Sequence, residues 1–206
     1  MAHAGSARAD DAAWDELARA REALAEAPLE AGFVQTYVPA GFSTGDREQG
    51  RLFLALPGCL RWDYEEPYPR SYLLCARTVW VWSPDETVGD RYLSVSREEA
   101  GLDFLLLSVE RLRERYEATL GEDAEGEVRI ALTVPDARRS VVSEGAAETA
   151  FTEAEIVLDA ASRRPVRLAY TDREGNETSF ELGGYRSLDG TGVFEPPSDI
   201  QWVDAE

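Results

Sequence analysis

Lysine is absent from this sequence, and histidine is almost absent. All 21 basic residues are arginine, and the single histidine is His3, near the start of the chain. Without lysine, Schiff-base chemistry, pyridoxal phosphate attachment and a P-loop lysine are excluded. Without histidine in the body of the chain, Ser-His-Asp catalysis, Cys-His catalysis and histidine metal sites have no candidate residue. A carboxylate-only enzyme stays open, because carboxylate pairs arise by chance among 40 acidic residues.

Positive charge and long apolar runs are also scarce. The 40 acidic residues against 21 basic ones give a net charge of −19, so neither a nucleic-acid-binding face nor a polybasic membrane patch is expected. No run reaches the ~18–20 apolar residues that span a bilayer. Residues 1–11 lack the apolar region of a signal peptide. They indicate either a cytosolic protein or a chain that begins near a mature N-terminus.

The hydrophobic content is that of a globular protein. With 206 residues and a 44% hydrophobic fraction, the chain can bury a sizeable core. We find no repeat, low-complexity tract or interdomain linker, and we predict a single domain over residues 12–206. A disordered N-terminal remnant, residues 1–11, is expected to precede it. The cysteines Cys59 and Cys75 are too few for a disulfide framework or a zinc site.

A helix is predicted over residues 11–27, before a region rich in strands. Asp10 or Asp11 can cap the start of this helix, and Pro28 ends it. Three apolar residues form one stripe along the helix: Trp14, Leu17 and Leu24. The stripe indicates a helix that packs on a sheet.

Residues 31–95 show the period-two alternation of antiparallel strands with one apolar and one polar face. Arg61 and Asp63 fall on the polar face, and the sequence EEPYP at residues 65–69 predicts a turn. The apolar side chains in phase within these strands are Leu52, Leu54, Leu56, Leu60, Trp62, Tyr64, Tyr72, Leu74, Trp80 and Trp82.

A helical insert is predicted next, over a capping box at residues 96–99 and the segment GLDFLLLSVERLRERYEATL at residues 101–120. Residues 104–107 are apolar on all sides, so they are expected to cover or be covered by another element. Strands resume at residues 127–134, 154–159, 165–172 and 178–185, with a hairpin turn built on Gly175 and Asn176.

These elements predict an α+β fold that is mainly β. About ten strands in an antiparallel meander are expected to curl into a half-closed β-barrel, with an N-terminal helix and a short helical lid. The apolar inner face then encloses either a filled core or a hydrophobic cavity under a lid. The pattern alone favours the filled core.

Several motifs resemble the LolA family of periplasmic lipoprotein carriers. They are FVQTY at residues 33–37, GRLFLALPGCLRWDY at 50–64, VWVWSPDE at 79–86, GLDFLLL at 101–107, VLDAASRRPVRLAYTDREGNETSFEL at 157–182 and FEPPSDI at 194–200. The resemblance extends over residues 12–204, and its most specific part is the stretch from Pro57 to Tyr64.

The resemblance implies a function and a set of partners. The apolar interior would hold the acyl chains of lipoproteins as cargo. An inner-membrane lipoprotein-releasing ABC transporter would load it in the periplasm, and an outer-membrane acceptor would unload it. No cofactor, catalytic residue or metal is implied, and we expect a monomer. Three alternatives stay open: a carrier or sensor of another hydrophobic ligand, an enzyme with carboxylates at the barrel mouth, and a structural domain with a filled barrel.

The candidate site residues follow from this resemblance. The residues expected to line the acyl cavity are Leu52, Leu54, Leu60, Trp62, Tyr64, Leu74, Trp80 and Trp82. The underside of the lid is assigned to Phe104, Leu106 and Leu107. Ordinary core packing is the alternative for every one of them.

The sequence departs from the family pattern at two places. Family members commonly have a lid-latching arginine before the strand's proline, where this chain has Leu56, and an Asp-Gly hairpin where it has Cys75 and Ala76. Arg61 stands where many members also have arginine, with a solvated strand position as the alternative.

A cross-strand disulfide between Cys59 and Cys75 is expected in this setting. If the hairpin at residues 65–69 pairs Trp62 with Tyr72, the two cysteines fall opposite each other, at a separation that a disulfide can span. A disulfide would fit an oxidising periplasm. Two free thiols in a reducing cytosol are the alternative.

Overall fold

The structure is a computed structural model that describes residues 6–93, 108–122, 124–135 and 151–205, with side chains from Asp11 onward. The helices are α1 (Ser6–Ala25) and α2 (Val109–Arg113), and a short 3-10 helix covers Gly192–Phe194. The strands are β1 (Leu29–Val38), β2 (Asp46–Ala55), β3 (Cys59–Glu66), β4 (Arg70–Cys75), β5 (Thr78–Trp82), β6 (Val88–Tyr92), β7 (Glu117–Leu120), β8 (Glu127–Thr133), β9 (Glu153–Asp159), β10 (Pro165–Thr171), β11 (Glu177–Ser187) and β12 (Gln201–Ala205).

All described strands belong to one 12-stranded sheet with the order β12-β6-β5-β4-β3-β2-β1-β11-β10-β9-β8-β7. The sheet is curled and not closed, because its edge strands β7 and β12 do not pair with each other within the described residues. The predicted mainly-β, half-closed architecture is confirmed. The single meander of about ten strands is wrong, because two meanders join through β1 and β11 and β12 adds parallel to β6.

Helix α1 covers the inner face of the sheet. Its predicted stripe of Trp14, Leu17 and Leu24 is confirmed, since each is at most 6% exposed. The helix begins at Ser6, so Asp10 and Asp11 lie inside it and not at its start, where the sequence predicts a cap. The helix therefore starts before residue 11, the start that the sequence predicts. Alanine and arginine in this segment favour the helix and extend it toward the N-terminus.

The second helix is shorter than predicted. Ser108 caps α2, which ends at Arg113, and Glu117–Leu120 form strand β7 instead of continuing the helix. Pairing with β8, where Ala118 lies opposite Leu132, overrides the local helical pattern. The predicted capping box at residues 96–99 and the lid residues Phe104, Leu106 and Leu107 lie outside the described residues.

Two apolar clusters occupy opposite faces of the sheet. The inner cluster packs α1 against the sheet and includes Leu29, Leu52, Leu54, Trp62, Leu112, Ile130, Leu158 and Phe180. The outer cluster lies on the opposite face of β2–β5 and contains Phe53, Leu73, Trp82 and Phe194 as its buried members. The C-terminal residues after β11 cover the outer cluster, since Phe194, Ile200 and Trp202 pack into it.

The turn between β10 and β11 has the form predicted from Gly175 and Asn176. Gly175 has a φ of +84°, which glycine adopts without the steric cost that a side chain would bring. The Asn176 amide donates to a carboxylate oxygen of Asp172 at 2.8 Å. The hairpin prediction at these residues is confirmed.

Candidate functional site

Most of the predicted lining residues share the inner face of β2, β3 and β4. The strand register pairs Leu52 with Trp62 and Leu54 with Leu60. It also pairs Leu60 with Leu74. Each of these side chains belongs to the inner cluster, and Tyr64 packs against that cluster while partly buried. The predicted alternation is confirmed here, and contact with acyl chains stays a prediction.

Trp80 and Trp82 share one face as predicted, but the prediction that they line the cavity beside Leu52 and Trp62 is wrong, because they lie on the outer face. A two-residue turn places Thr78 opposite Cys75, so even-numbered residues of β4 pair with odd-numbered residues of β5. Val79 therefore shares the inner face with Leu74. Both tryptophans pack into the outer cluster. Period-two alternation within each strand could not reveal this exchange of faces, because the exchange depends on the length of the turn.

Five aromatic side chains form a continuous surface on the inner face, called here the aromatic wall: Phe33, Trp62, Tyr64, Tyr72 and Phe180. The ring of Phe33 lies 5.1 Å from that of Trp62 and 5.0 Å from that of Tyr64. Trp62 lies 5.1 Å from Phe180. The tilted and edge-on rings give a large contact area without directional bonds.

Three members of the aromatic wall, Phe33, Tyr72 and Phe180, are not among the predicted lining residues, and Tyr72 is the one whose strand phase the sequence indicates. Phe33 lies on β1 and Phe180 on β11, and these strands pair although they are far apart in sequence. Both residues stand at alternating positions within their strands, which is the signal that could have placed them on an inner face. The long-range pairing that brings them to Trp62 has no local signal.

The aromatic wall has a polar end at the start of β4. The Arg70 guanidinium lies 4.0 Å from the centre of the Tyr64 ring and donates to both carboxylate oxygens of Glu48, at 2.6 and 2.7 Å. Arg70 Nε also donates to the Tyr72 hydroxyl at 3.1 Å. Tyr64 in turn donates its hydroxyl to Gln35 Oε1 at 2.5 Å. The positive charge of Arg70 is therefore compensated at this end by the Glu48 carboxylate.

Burial changes the ionisation of this polar end. Burial raises the pKa of the Tyr64 phenol above its ordinary value, although the nearby Arg70 opposes the shift. The hydrogen bonds to Glu48 raise the pKa of Arg70. Tyr64 is therefore a neutral hydrogen-bond donor and Arg70 a permanent cation at physiological pH. Neither group is prepared to exchange a proton with a substrate.

Leu56 and Arg61 lie in different environments. Leu56 is partly buried against the inner cluster. Arg61 is on the outer face, where Nε donates to Asp63 Oδ1 at 2.8 Å and Nη1 donates to the Val193 carbonyl at 2.9 Å. Its guanidinium also lies 5.0 Å from the Trp82 ring. With its side chain 20% exposed, Arg61 is not the solvated strand residue considered as the alternative.

The hairpin of β3 and β4 pairs as predicted, with Trp62 opposite Tyr72 and Cys59 opposite Cys75. The cysteine Cα atoms are 4.3 Å apart, and the sulfurs are joined as a disulfide of 2.00 Å. Both cysteines pack against the outer cluster. The disulfide therefore joins the ends of the hairpin beneath the C-terminal residues that cover this face.

The described residues contain no group of three or more His, Cys, Asp or Glu side chains placed to hold a metal ion. In the same part of the chain, no helix combines the length and apolar character needed to cross a membrane.

Comparison with known proteins finds similarity to lipoprotein carriers. The family model described as outer membrane lipoprotein carrier protein LolA matches residues 27–189. An outer-membrane lipoprotein carrier protein from Xanthomonas campestris pv. campestris (strain B100) is 27% identical over 172 residues, which are 80% of this chain and 79% of that protein.

Solved structures with similar folds cover nearly the whole chain. An uncharacterized conserved protein from Thermus thermophilus aligns with a TM-score of 0.59 and 15% identity, over 94% of this chain and 99% of that chain. The Pseudomonas aeruginosa MucA/MucB complex aligns with a TM-score of 0.54 and 14% identity, over 93% of this chain and 63% of that chain. At these identities the similarity shows the fold alone.

Proposed function

This chain belongs to the family of outer membrane lipoprotein carrier proteins, LolA, and from that premise we propose that it carries the acyl chains of lipoproteins on the inner face of its sheet. The observation that carries the proposal is the extent of the family match. Residues 27–189 contain all strands from β1 to β11, which build the whole inner face. Carriers of this family are not enzymes, and we propose no reaction for this chain.

The inner face has the chemistry that such cargo needs. Each acyl CH₂ group left in water costs about 0.8 kcal/mol, so a lipidated protein needs an apolar cover to cross an aqueous compartment. The aromatic wall and the leucines beside it offer apolar contact without directional bonds to hydrocarbon. Such contacts hold acyl chains and still allow their transfer. We propose Leu52, Leu54, Leu60, Trp62, Tyr64 and Leu74 as acyl-contacting residues.

The open sheet supports a change in the size of this surface. Because β7 and β12 do not pair with each other in the part of the chain that the structure describes, the edges can separate without breaking backbone hydrogen bonds between strands. A closed barrel would have to break such bonds to widen. Cargo would therefore enter by replacing side-chain contacts of the inner cluster with contacts to acyl chains.

A periplasmic location and a direction of transfer complete the proposal. Cargo would come from a lipoprotein-releasing transporter in the inner membrane and pass to an acceptor in the outer membrane. The disulfide between Cys59 and Cys75 supports an oxidising compartment, because disulfides persist there and are rare in the cytosol.

A carrier of another hydrophobic ligand is the second candidate, and Leu56 favours it. The family resemblance places a lid-latching arginine at this position, but Leu56 packs into the inner cluster and cannot donate a side-chain hydrogen bond. Cargo such as a phospholipid or glycolipid would then use the same apolar face with a differently held lid.

Native mass spectrometry of the protein, purified from its host without detergent, separates these candidates. A bound acylated polypeptide is expected for the lipoprotein carrier, whereas a bound lipid without peptide would favour the second candidate. A diacylated lipopeptide should also displace an apolar fluorescent dye, with the same peptide lacking acyl chains as the control. An empty protein that binds neither dye nor lipopeptide would contradict both candidates.

A further inference from the structure

The indole N–H of Trp62 lies in the aromatic wall without a hydrogen-bond acceptor. Trp62 is 5% exposed. Among the residues that the structure describes, its Nε1 is the one buried side-chain nitrogen or oxygen that has no partner. An unpaired buried donor loses its hydration without compensation, which is why such groups are uncommon in folded proteins. Trp62 therefore has an unused capacity to bind an acceptor.

The surroundings of Trp62 offer no obvious acceptor from the wall itself. The rings of Phe33 and Phe180 each lie 5.1 Å from the Trp62 ring, and hydrocarbon rings accept hydrogen bonds only weakly. The polar groups at the end of the wall are already paired, with the Tyr64 hydroxyl on Gln35 and Arg70 on Glu48. An added acceptor on Trp62 would thus compete with no existing hydrogen bond.

We propose that Trp62 Nε1 donates a hydrogen bond to the ester or amide carbonyl oxygen of a bound acyl group, so that this residue distinguishes acyl chains from plain alkyl chains. The inference rests on the proposed function and names the chemical group that the inner face recognises. A hydrocarbon chain has no acceptor, and the carbonyl is the acceptor directly attached to it.

The charge distribution favours a neutral acceptor over an anionic one. Arg70, the cation at the polar end of the aromatic wall, already donates to both oxygens of the Glu48 carboxylate. A phosphate or carboxylate group beside Trp62 would have to lose its water without a free cation to compensate it, and burying such a charge is costly. A carbonyl loses much less hydration and needs a single donor.

A matched pair of lipids tests the proposal. Dioctanoylglycerol has two ester carbonyls, and its ether analogue dioctylglycerol has a CH₂ group in place of each. We compare the concentrations at which they displace an apolar fluorescent dye from the wild-type protein and from Trp62→Phe, which keeps an aromatic ring and removes the N–H. The diester preference of the wild type is expected to exceed that of Trp62→Phe by about tenfold, as for one hydrogen bond to an otherwise unpaired buried donor.

Trp80→Phe is the control, because Trp80 packs into the outer cluster and its loss should leave the diester preference as in the wild type. The same preference in wild type and Trp62→Phe would overturn the inference while leaving the carrier function intact. Failure of both lipids to displace the dye would overturn the carrier function, and the inference with it.

A second measurement does not depend on the folding of Trp62→Phe. In a ¹H–¹⁵N spectrum of the wild type, dioctanoylglycerol should move the Trp62 indole signal downfield, as a new hydrogen bond does, and dioctylglycerol should not. The Trp62 indole signal is assigned in the wild type itself, by triple-resonance spectra and by nuclear Overhauser contacts to the rings of Phe33 and Phe180. Equal movement with both lipids, or none with the diester when it is bound, would overturn the inference.

Discussion

The two faces of strands β2–β5 carry apolar clusters of different kinds. In the outer cluster, Phe53, Leu73 and Trp82 are buried beneath Phe194, which belongs to the C-terminal segment after β11. Arg61 joins this cover to β3 through the Val193 carbonyl, and the Cys59–Cys75 disulfide lies in the same cluster. The outer face is thus fixed by a hydrogen bond and a covalent bond.

On the inner face, an ion pair at 3.2 Å joins Glu16 of helix α1 to Arg163 in the turn between β9 and β10, and no disulfide reinforces this face within the described residues. Apolar side chains of α1, such as Trp14 and Leu17, also pack into the inner cluster. Apolar contacts are nondirectional, so one hydrocarbon surface can replace another at similar free energy. This difference fits the proposed carrier function, in which the outer face maintains the sheet and the inner face would exchange its contacts for cargo.

The adjacent leucines Leu73 and Leu74 offer the sharpest test of this comparison, because they face opposite sides. Leu73 is fully buried in the outer cluster and Leu74 is 7% exposed in the inner cluster. Each change to alanine should lower the free energy of unfolding by about 2–5 kcal/mol, as for other buried leucines. Urea denaturation measures this loss.

Affinity for an apolar ligand should differ between the two variants. Affinity for an apolar dye or a diacylated lipopeptide should fall in Leu74→Ala and stay near the wild-type value in Leu73→Ala, measured under conditions where both variants are folded. Equal loss of binding in the two variants would contradict the division of roles between the faces.

Parts of this arrangement could be predicted from the sequence, because they depend on local signals. Alternation within β2 placed Leu52 and Leu54 on one face, alternation within β3 did the same for Leu60 and Trp62, and the hairpin turn set the pairing of Cys59 with Cys75. The aromatic and proline-containing motif around Trp62 also indicated the family. Each of these signals lies within a few residues of the feature that it predicts.

The remaining features depend on turn length or on contacts between distant segments. The short turn before Thr78 transferred Trp80 and Trp82 to the outer face. The pairing of β1 with β11 brought Phe33 and Phe180 to Trp62. The cover over the outer cluster comes from residues after β11, and alternation in β2–β5 carries no information about it. Period-two patterns therefore predicted which residues form strands better than they predicted which face of the sheet each strand's apolar side chains occupy.

Removing the disulfide, which lies on the outer face, should cause the second largest loss in the free energy of unfolding. The cysteines are 16 residues apart, and a cross-link closing a loop of this size stabilises a fold by about 3 kcal/mol through the unfolded chain. The double variant Cys59→Ala and Cys75→Ala should lose about this free energy of unfolding in urea. A reducing agent should destabilise the wild type similarly and leave the double variant unchanged. Equal sensitivity of both proteins to the reducing agent would contradict the role of the bond.

Arg61→Gln should have a smaller effect on the same face. The change removes the cation beside Asp63, which is buried, and the hydrogen bond to Val193. We expect a loss of about 1–2 kcal/mol in the free energy of unfolding, with faster amide hydrogen exchange in β12. Arg19→Gln is the matched control, because its ion pair with Glu16 lies within helix α1 and does not touch the outer face, and exposed pairs contribute little. If both variants exchange alike, Arg61 does not hold the C-terminal cover.

Alkaline pH should cause the smallest loss in the free energy of unfolding, and this loss should arise from two tyrosines that pack against the inner cluster. Burial raises the pKa of the Tyr64 and Tyr185 phenols in the folded protein, whereas an unfolded tyrosine has a pKa of about 10. The stability that these two groups contribute is therefore complete below about pH 10 and decreases as the pH rises above it, because the unfolded chain then releases its phenolic protons first. Urea denaturation across this range should show the decrease in the wild type and a weaker one in the double variant Tyr64→Phe and Tyr185→Phe. Tyr68→Phe is the control. Because Tyr68 is 73% exposed, this substitution should leave the dependence of stability on pH as in the wild type. A profile that the double variant leaves unaltered would mean that the alkaline loss does not arise from these two inner-face tyrosines.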